Sequence, residues 1–418
     1  MAHLLVWVLG LALMASALAQ SDIFARIAFV TLDGRLATIG PDGSDLMLLS
    51  KDEAEFFQFP AWSPDGRSLA AIRSRRDGGA VVVYRFTGEG AEESVLYSSA
   101  FEPPFYLYWS PDSRVVSFLA NDNERVLALH LASPDDGSER VLTGGSPFYW
   151  QWTADSRRLL LHIGFAGVGA RLGFSEVVTD TLSENLDTPG FFQTPGISPS
   201  GRFIAYGRYG PLGSRRVVLK GVDIDESIER ELPHRGLVAL GWSPAEDLLA
   251  VMSPRRDVAT FAGAIDLLEA ESGLLKPLID GPAIAFFWSP DGRHLAYFTR
   301  VAVGGGRVAS ADGGQRPLGG AGEQRVQQRL TLLELHVANI ATGDTWLLTT
   351  FQPTVSFVTQ FLPFFGQYAL SHQLWAPDSS ALTLPLIDKE GVPQVAVVTL
   401  DGAVTTIAPG DSPFWNQR

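Results

Sequence analysis

Histidines, paired carboxylates, thiolates and an activated serine are the groups that could run a reaction here, and the sequence can be searched for each. Excluding His3, the histidines are His130, His162, His234, His294, His336 and His372, one to a region and without close pairing. A base or metal-ligand role needs such groups gathered by the fold, and His372, just before Trp375, is best placed to line an interior channel. There is no cysteine, which excludes disulfides, thiolate catalysis, zinc–thiolate sites and a lipid-attachment cysteine. No Gly-x-Ser-x-Gly elbow occurs; the nearest string, Gly196-Ile197-Ser198-Pro199-Ser200-Gly201, is a turn of a kind that recurs along the chain. Asp135-Asp136 and Asp223-Ile224-Asp225 lack the glycine and distal glutamate of a calcium loop and read as turn residues. On these residues no catalytic group is assigned, and neither a metal nor a cofactor is expected.

The elements that position everything else come from one repeated turn. Trp62-Ser63-Pro64-Asp65-Gly66-Arg67 returns as Trp109-Ser110-Pro111-Asp112-Ser113-Arg114, as Trp152-Thr153-Ala154-Asp155-Ser156-Arg157 and as Ile197-Ser198-Pro199-Ser200-Gly201-Arg202. Trp242-Ser243-Pro244, the intact Trp288-Ser289-Pro290-Asp291-Gly292-Arg293 and Trp375-Ala376-Pro377-Asp378 complete the series. The spacing is about 45 residues, except for the last interval, which is nearly twice as long. Pro presets φ, Asp caps a backbone N–H and Gly supplies a left-handed residue, so each hexamer joins two antiparallel strands. Such a period, with four short apolar runs per unit, is the signature of propeller blades. The Trp and Asp of each turn then read as structural, each Trp wedging between neighbouring sheets.

The expected fold is therefore all-β, one closed propeller. Strands at 27–30, 35–39 and 45–49 form three quarters of a blade, and Ser412-Pro413-Phe414-Trp415 offers the missing innermost strand. Aligned with Ser146-Pro147-Phe148-Tyr149, that segment puts Arg418 at the Trp position. Closure by the two terminal strands gives eight four-stranded blades; seven follows if they do not pair. The long interval is assigned to excursions within one blade, a Gly-rich insertion at 301–329 and an extended connector at 351–374.

Residues 1–19 read as a signal peptide, with an apolar run from Leu4 to Leu13 and Ala17-Leu18-Ala19 as the cleavage site. The mature propeller, 20–418, is then exported, periplasmic or extracellular, and has no membrane span; retention of the segment would anchor it. Hydrophobic content of 46% describes a globular chain, and a net charge of −14 argues against nucleic acid as a partner.

The W-S-P-D-G-R units, each followed by an apolar strand and a short strand ending in Asp-Gly or Thr-Gly, resemble the TolB-type (WD40-like) propeller repeat over residues 26–418. The resemblance implies the fold. For function it spans envelope scaffolds, propellers attached to peptidases and some polyuronate lyases, and the small α/β domain that precedes the propeller in TolB is missing here.

In such a ring the S-P-D-G turns lie on one face, while the second-to-third turns and inter-blade connectors share the other. Arg75, Arg76, Arg215, Arg216, Arg255, Arg256 and Arg307 fall on that second face, as do Phe361, Phe364, Phe365 and other connector aromatics. Arginine with aromatics is the composition of an interface. The expectation is a monomeric, non-catalytic platform that binds a protein or polysaccharide through this face. A polyuronate lyase using His372 and the arginines, or a purely structural envelope component, is the alternative.

Overall fold

The computed structural model describes residues 26–417, apart from 302–331, the short stretches 122–126, 166–168, 180–181, 191–192 and 223–227, and positions 51, 53, 89, 147 and 259. The calls on residues 1–19, on most of the 301–329 insertion including Arg307, and on Asp223-Ile224-Asp225 lie outside the described residues.

Eight antiparallel sheets form a ring. Six are continuous in sequence, at 56–99, 104–145, 148–187, 196–234, 239–283 and 285–351, each with its first strand innermost. In a seventh, at 373–409, three full strands are joined by a stub of a fourth, through the Trp375↔Leu382 bridge and the Thr383 N–H to Leu374 carbonyl bond of 2.8 Å. The eighth is composite: Met47–Leu48, Leu36–Ile39 and Ile27–Val30 are completed by Asp411–Trp415. Ala28 pairs with Phe414 and Val30 with Asp411, so the terminal strands close the ring.

The position of the last strand differs from the sequence alignment. Asn416 N–H donates to the Arg26 carbonyl as Ser63 N–H donates to that of Ser68. Trp415, and not Arg418, therefore occupies the Trp position. The likeness to Ser146-Pro147-Phe148-Tyr149 misled because the strand at Phe148–Trp152 carries three extra residues, Tyr149, Trp150 and Gln151, before its Trp.

Hydrogen bonds show why the repeat has these residues. Trp109 Nε1–H donates to the Ala61 carbonyl (2.9 Å), Trp288 to Gly241 (3.0 Å), Trp375 to Phe287 (3.1 Å) and Trp62 to Phe414 (3.2 Å). Each acceptor is the residue before the Trp of the preceding blade. Trp152 reaches the same carbonyl through a relay, donating to Ser117 Oγ (3.0 Å), which donates to the Tyr108 carbonyl (2.7 Å). Within a turn, Asp65 Oδ1 accepts from Ser63 Oγ and Arg67 N–H. Between turns, Ser113 Oγ accepts from Asp65 N–H and Ser156 Oγ from Asp112 N–H, both at 3.0 Å. Ser113 and Ser156 hold the left-handed conformation that Gly66 holds, with φ of 62° and 59°. The change from Gly to Ser thus exchanges conformational ease for a bond across the seam.

One prediction follows for the seam. Trp109→Phe, which removes the N–H and keeps most of the ring, should cost about 1 kcal/mol, against about 3–5 kcal/mol for Trp109→Ala. Urea unfolding of both variants separates the terms; equal losses would show that the hydrogen bond, and not the ring, holds the seam.

Candidate functional site

The long connector at 351–374 is mostly helical. After the strand Thr345–Phe351 the chain turns into the ring on the connector face, anchored where Thr354 Oγ1 (2.9 Å) and Ser356 Oγ (2.5 Å) donate to Asp411. It runs through a π turn at Phe357–Phe361, a tight turn at Leu362–Phe364 and a helix, α1, at Phe365–Ser371. Phe357, Phe361, Phe365 and Tyr368 recur at helical spacing and are all buried. Its exposed side carries Val355, Pro363 and Phe364 beside Thr359 and Gln360, so no clean polar face marks the stretch as helical in the sequence.

This plug is held by innermost strands all round the ring. Phe361 stacks on Phe287 (5.7 Å between centroids) and meets Phe414 (5.4 Å), while Phe365 packs edge-on to Phe286 (5.2 Å). The Gln367 amide satisfies both backbone groups of Trp150, donating to its carbonyl (2.9 Å) and accepting from its N–H (3.2 Å). Tyr106 Oη donates to the Gln367 carbonyl (3.0 Å) and lies 2.7 Å from Ser371 Oγ. His372 Nε2–H donates to the Phe59 carbonyl (3.1 Å), so Nδ1 is left to accept from Ser371 Oγ (2.6 Å). Burial lowers its pKa to about 4, so the ring is neutral at pH 7.

Sequence-predicted site residues thus divide. Phe361, Phe365 and His372 are interior residues of the plug, whereas Phe364 is 48% exposed. The arginine rim is less cationic than the sequence implies. Arg75 pairs with Glu55, Arg215 with Asp257 (2.7 Å), Arg216 with Glu231 (3.9 Å) and Arg255 with Asp266 (2.8 Å). Carboxylates from neighbouring strands, loops and blades, invisible to one-dimensional spacing, supply these partners. Among the described residues Arg76 and Arg256 are the exposed members of the set without an ion pair.

The plug divides the axial channel into two hollows. On the connector face an apolar groove of about 410 Å³ runs between the plug and the blades at 56–99, 104–145 and 148–187. Phe59, Phe105, Tyr106, Phe148, Tyr149, Phe364 and Tyr368 line much of it, and Phe105 is 40% exposed. The S-P-D-G face holds the other hollow, about 390 Å³, with α1 as its floor. Neither presents a nucleophile beside a base, and among the described residues no cluster of three His, Asp or Glu could hold a metal ion.

Closed ring, repeated hexamer and plugged axis together define an eight-bladed β-propeller, whose hexamers resemble the TolB-type repeat. No family model matches the chain. It is 25% identical over 302 residues to an uncharacterised protein of Agrobacterium fabrum, covering 64% of this chain and 96% of that one. Among solved structures, a putative TolB from Agrobacterium tumefaciens is 20% identical, with a TM-score of 0.39, over 64% of this chain and 94% of that one. A eukaryotic initiation factor shares the fold at a TM-score of 0.53 with 10% identity, over 94% of this chain and 98% of that one. Such likenesses concern the fold. Among the described residues no helix is long and apolar enough to cross a membrane.

Proposed function

We propose that the chain is an exported, non-catalytic propeller that binds a protein partner through the connector face, with the aromatic groove beside the plug as the contact. Export rests on the pattern of residues 1–19. One observation carries the binding reading: aromatic side chains line an open, preformed groove on a rigid ring, and Phe105 and Phe364 stand partly in solvent. Rigid aromatic anchors in a concave surface carry most of the energy of protein interfaces. The paired arginines fit a protein surface of mixed charge better than a polyanion. A lyase would need His372 as base or ligand, and both of its ring nitrogens are engaged inside the plug.

The test is a crosslinking pull-down from the native envelope, followed by affinity measurement with the identified partner. Phe105→Ala with Phe364→Ala should weaken binding at least about tenfold and leave the melting temperature nearly unchanged. Unaltered affinity in the folded double variant rejects the groove, and an envelope partner captured by neither protein favours a purely structural role.

A further inference from the structure

The hollow on the S-P-D-G face is independent of the groove, and its lining differs in kind. Among the described residues no Asp, Glu, Lys or Arg lines it. Its one histidine, His372, is neutral. The walls are flat and apolar, with Trp242, Phe286 and Trp288 among prolines of the turns, while Gln373, Gln417 and Thr194 bring neutral hydrogen-bonding groups to the same space.

At this wall the seam pattern breaks. Trp62, Trp109, Trp288 and Trp375 donate to the carbonyl before the Trp of the preceding blade, whereas the indoles of Trp242 and Trp415 do not, and the blade at 196–234 has Ile197 in place of Trp. The Trp242 indole lies against Gly196, where a Cβ would come within 2.7 Å of its ring, and its buried Nε1 has no hydrogen-bond partner. That N–H is covered by the wall, so what Trp242 offers the hollow is its apolar ring surface.

We infer that this hollow is a binding site for a neutral saccharide. Pyranose rings present an apolar C–H face, which suits the Trp and Phe walls, and hydroxyls that both donate and accept, which suits the amides of Gln373 and Gln417. The volume falls within the range of about 300–1,000 Å³ usual for small-ligand sites. Lack of charge disfavours uronates, phosphates and free peptide termini. A peptide adding to the inner strand edges is disfavoured on separate grounds. The Gln151 amide takes Ile197 N–H and carbonyl, Trp288 takes the Gly241 carbonyl and Trp375 that of Phe287. The edge is already occupied, and side chains are what remain for a ligand.

Ligand-observed NMR and calorimetry with maltose, cellobiose and diacetylchitobiose test this, beside digalacturonate and a neutral blocked tetrapeptide. At least one neutral disaccharide should bind and the uronate should not. Trp242→Leu, which removes the stacking surface, should weaken binding about 3- to 10-fold, and Gln373→Ala with Gln417→Ala should do so in a protein whose ring is undisturbed. The Phe105/Phe364 double variant should bind sugar normally, separating this site from the groove. Absence of disaccharide binding tighter than about 10 mM, affinity unmoved by either set of variants, or binding of the tetrapeptide in place of sugar would overturn the assignment.

Discussion

Phe361→Ala is expected to destabilise the propeller by about 3–5 kcal/mol, the cost of deleting a fully packed phenylalanine. Phe364→Ala, three residues on, should change stability by less than about 0.5 kcal/mol. The contrast arises because Phe361 contacts Phe287, Phe357, Tyr368 and Phe414, which come from two distant blades and from the plug itself, while Phe364 projects into solvent. A cavity at Phe361 cannot close by local collapse, since the ring of blades fixes the positions of Phe287 and Phe414. Urea unfolding followed by tryptophan fluorescence reads both variants. If Phe361→Ala unfolds at the same urea concentration as the parent, the plug is an accessory that the ring does without, and the channel would have to be treated as open.

The two variants also mark where sequence reading succeeds and where it stops. Blade number, strand order and the shared terminal blade were legible because they depend on local turn chemistry repeated at fixed intervals, and on strand pairing that the repeat makes almost obligatory. Arg300 pairs with Leu333 and the next blade begins at Gln373, so the long interval is one blade with excursions, as its glycine-rich composition implies. The plug was not legible as a plug. Its apolar residues at helical spacing resemble any aromatic connector until the ring supplies Phe59, Tyr106, Trp150 and Phe287 around it. Charge misled for a similar reason: Arg215 and Asp257 stand on neighbouring blades, well apart in sequence, yet meet at 2.7 Å. Trp242 carried a signal that could have been used, because Ile197 in the preceding unit removes a member of an otherwise regular series.

Acid should weaken the fold above the range in which most carboxylates titrate, and His372 is one of two reasons. Its folded pKa is about 4, against 6.5 for the free side chain, because burial opposes the charged form. The unfolded chain therefore binds a proton that the folded one refuses. Stability from this group is complete above pH 6.5, declines as pH falls towards 4 and changes no further below that, a total of about 3 kcal/mol. His162, also buried and lowered to about 4, adds a loss in the same window. Asp155, held below its ordinary value by the Thr153 hydroxyl, loses its contribution only at lower pH, so the two effects separate. Around His372 the neighbouring groups are Ser371, Tyr106, Tyr368, Phe414 and the Phe59 carbonyl, none charged, so nothing nearby would stabilise an imidazolium. His372→Gln retains a donor for the Phe59 carbonyl and cannot titrate. It should be less stable at pH 7 through imperfect packing, yet lose less on acidification, flattening the dependence between pH 6.5 and 4 by about one proton. Urea midpoints across that range give the slope for both proteins. Parallel curves would mean that the plug opens before His372 is protonated, and that the helix is held by its aromatic packing and not by the bond to Phe59.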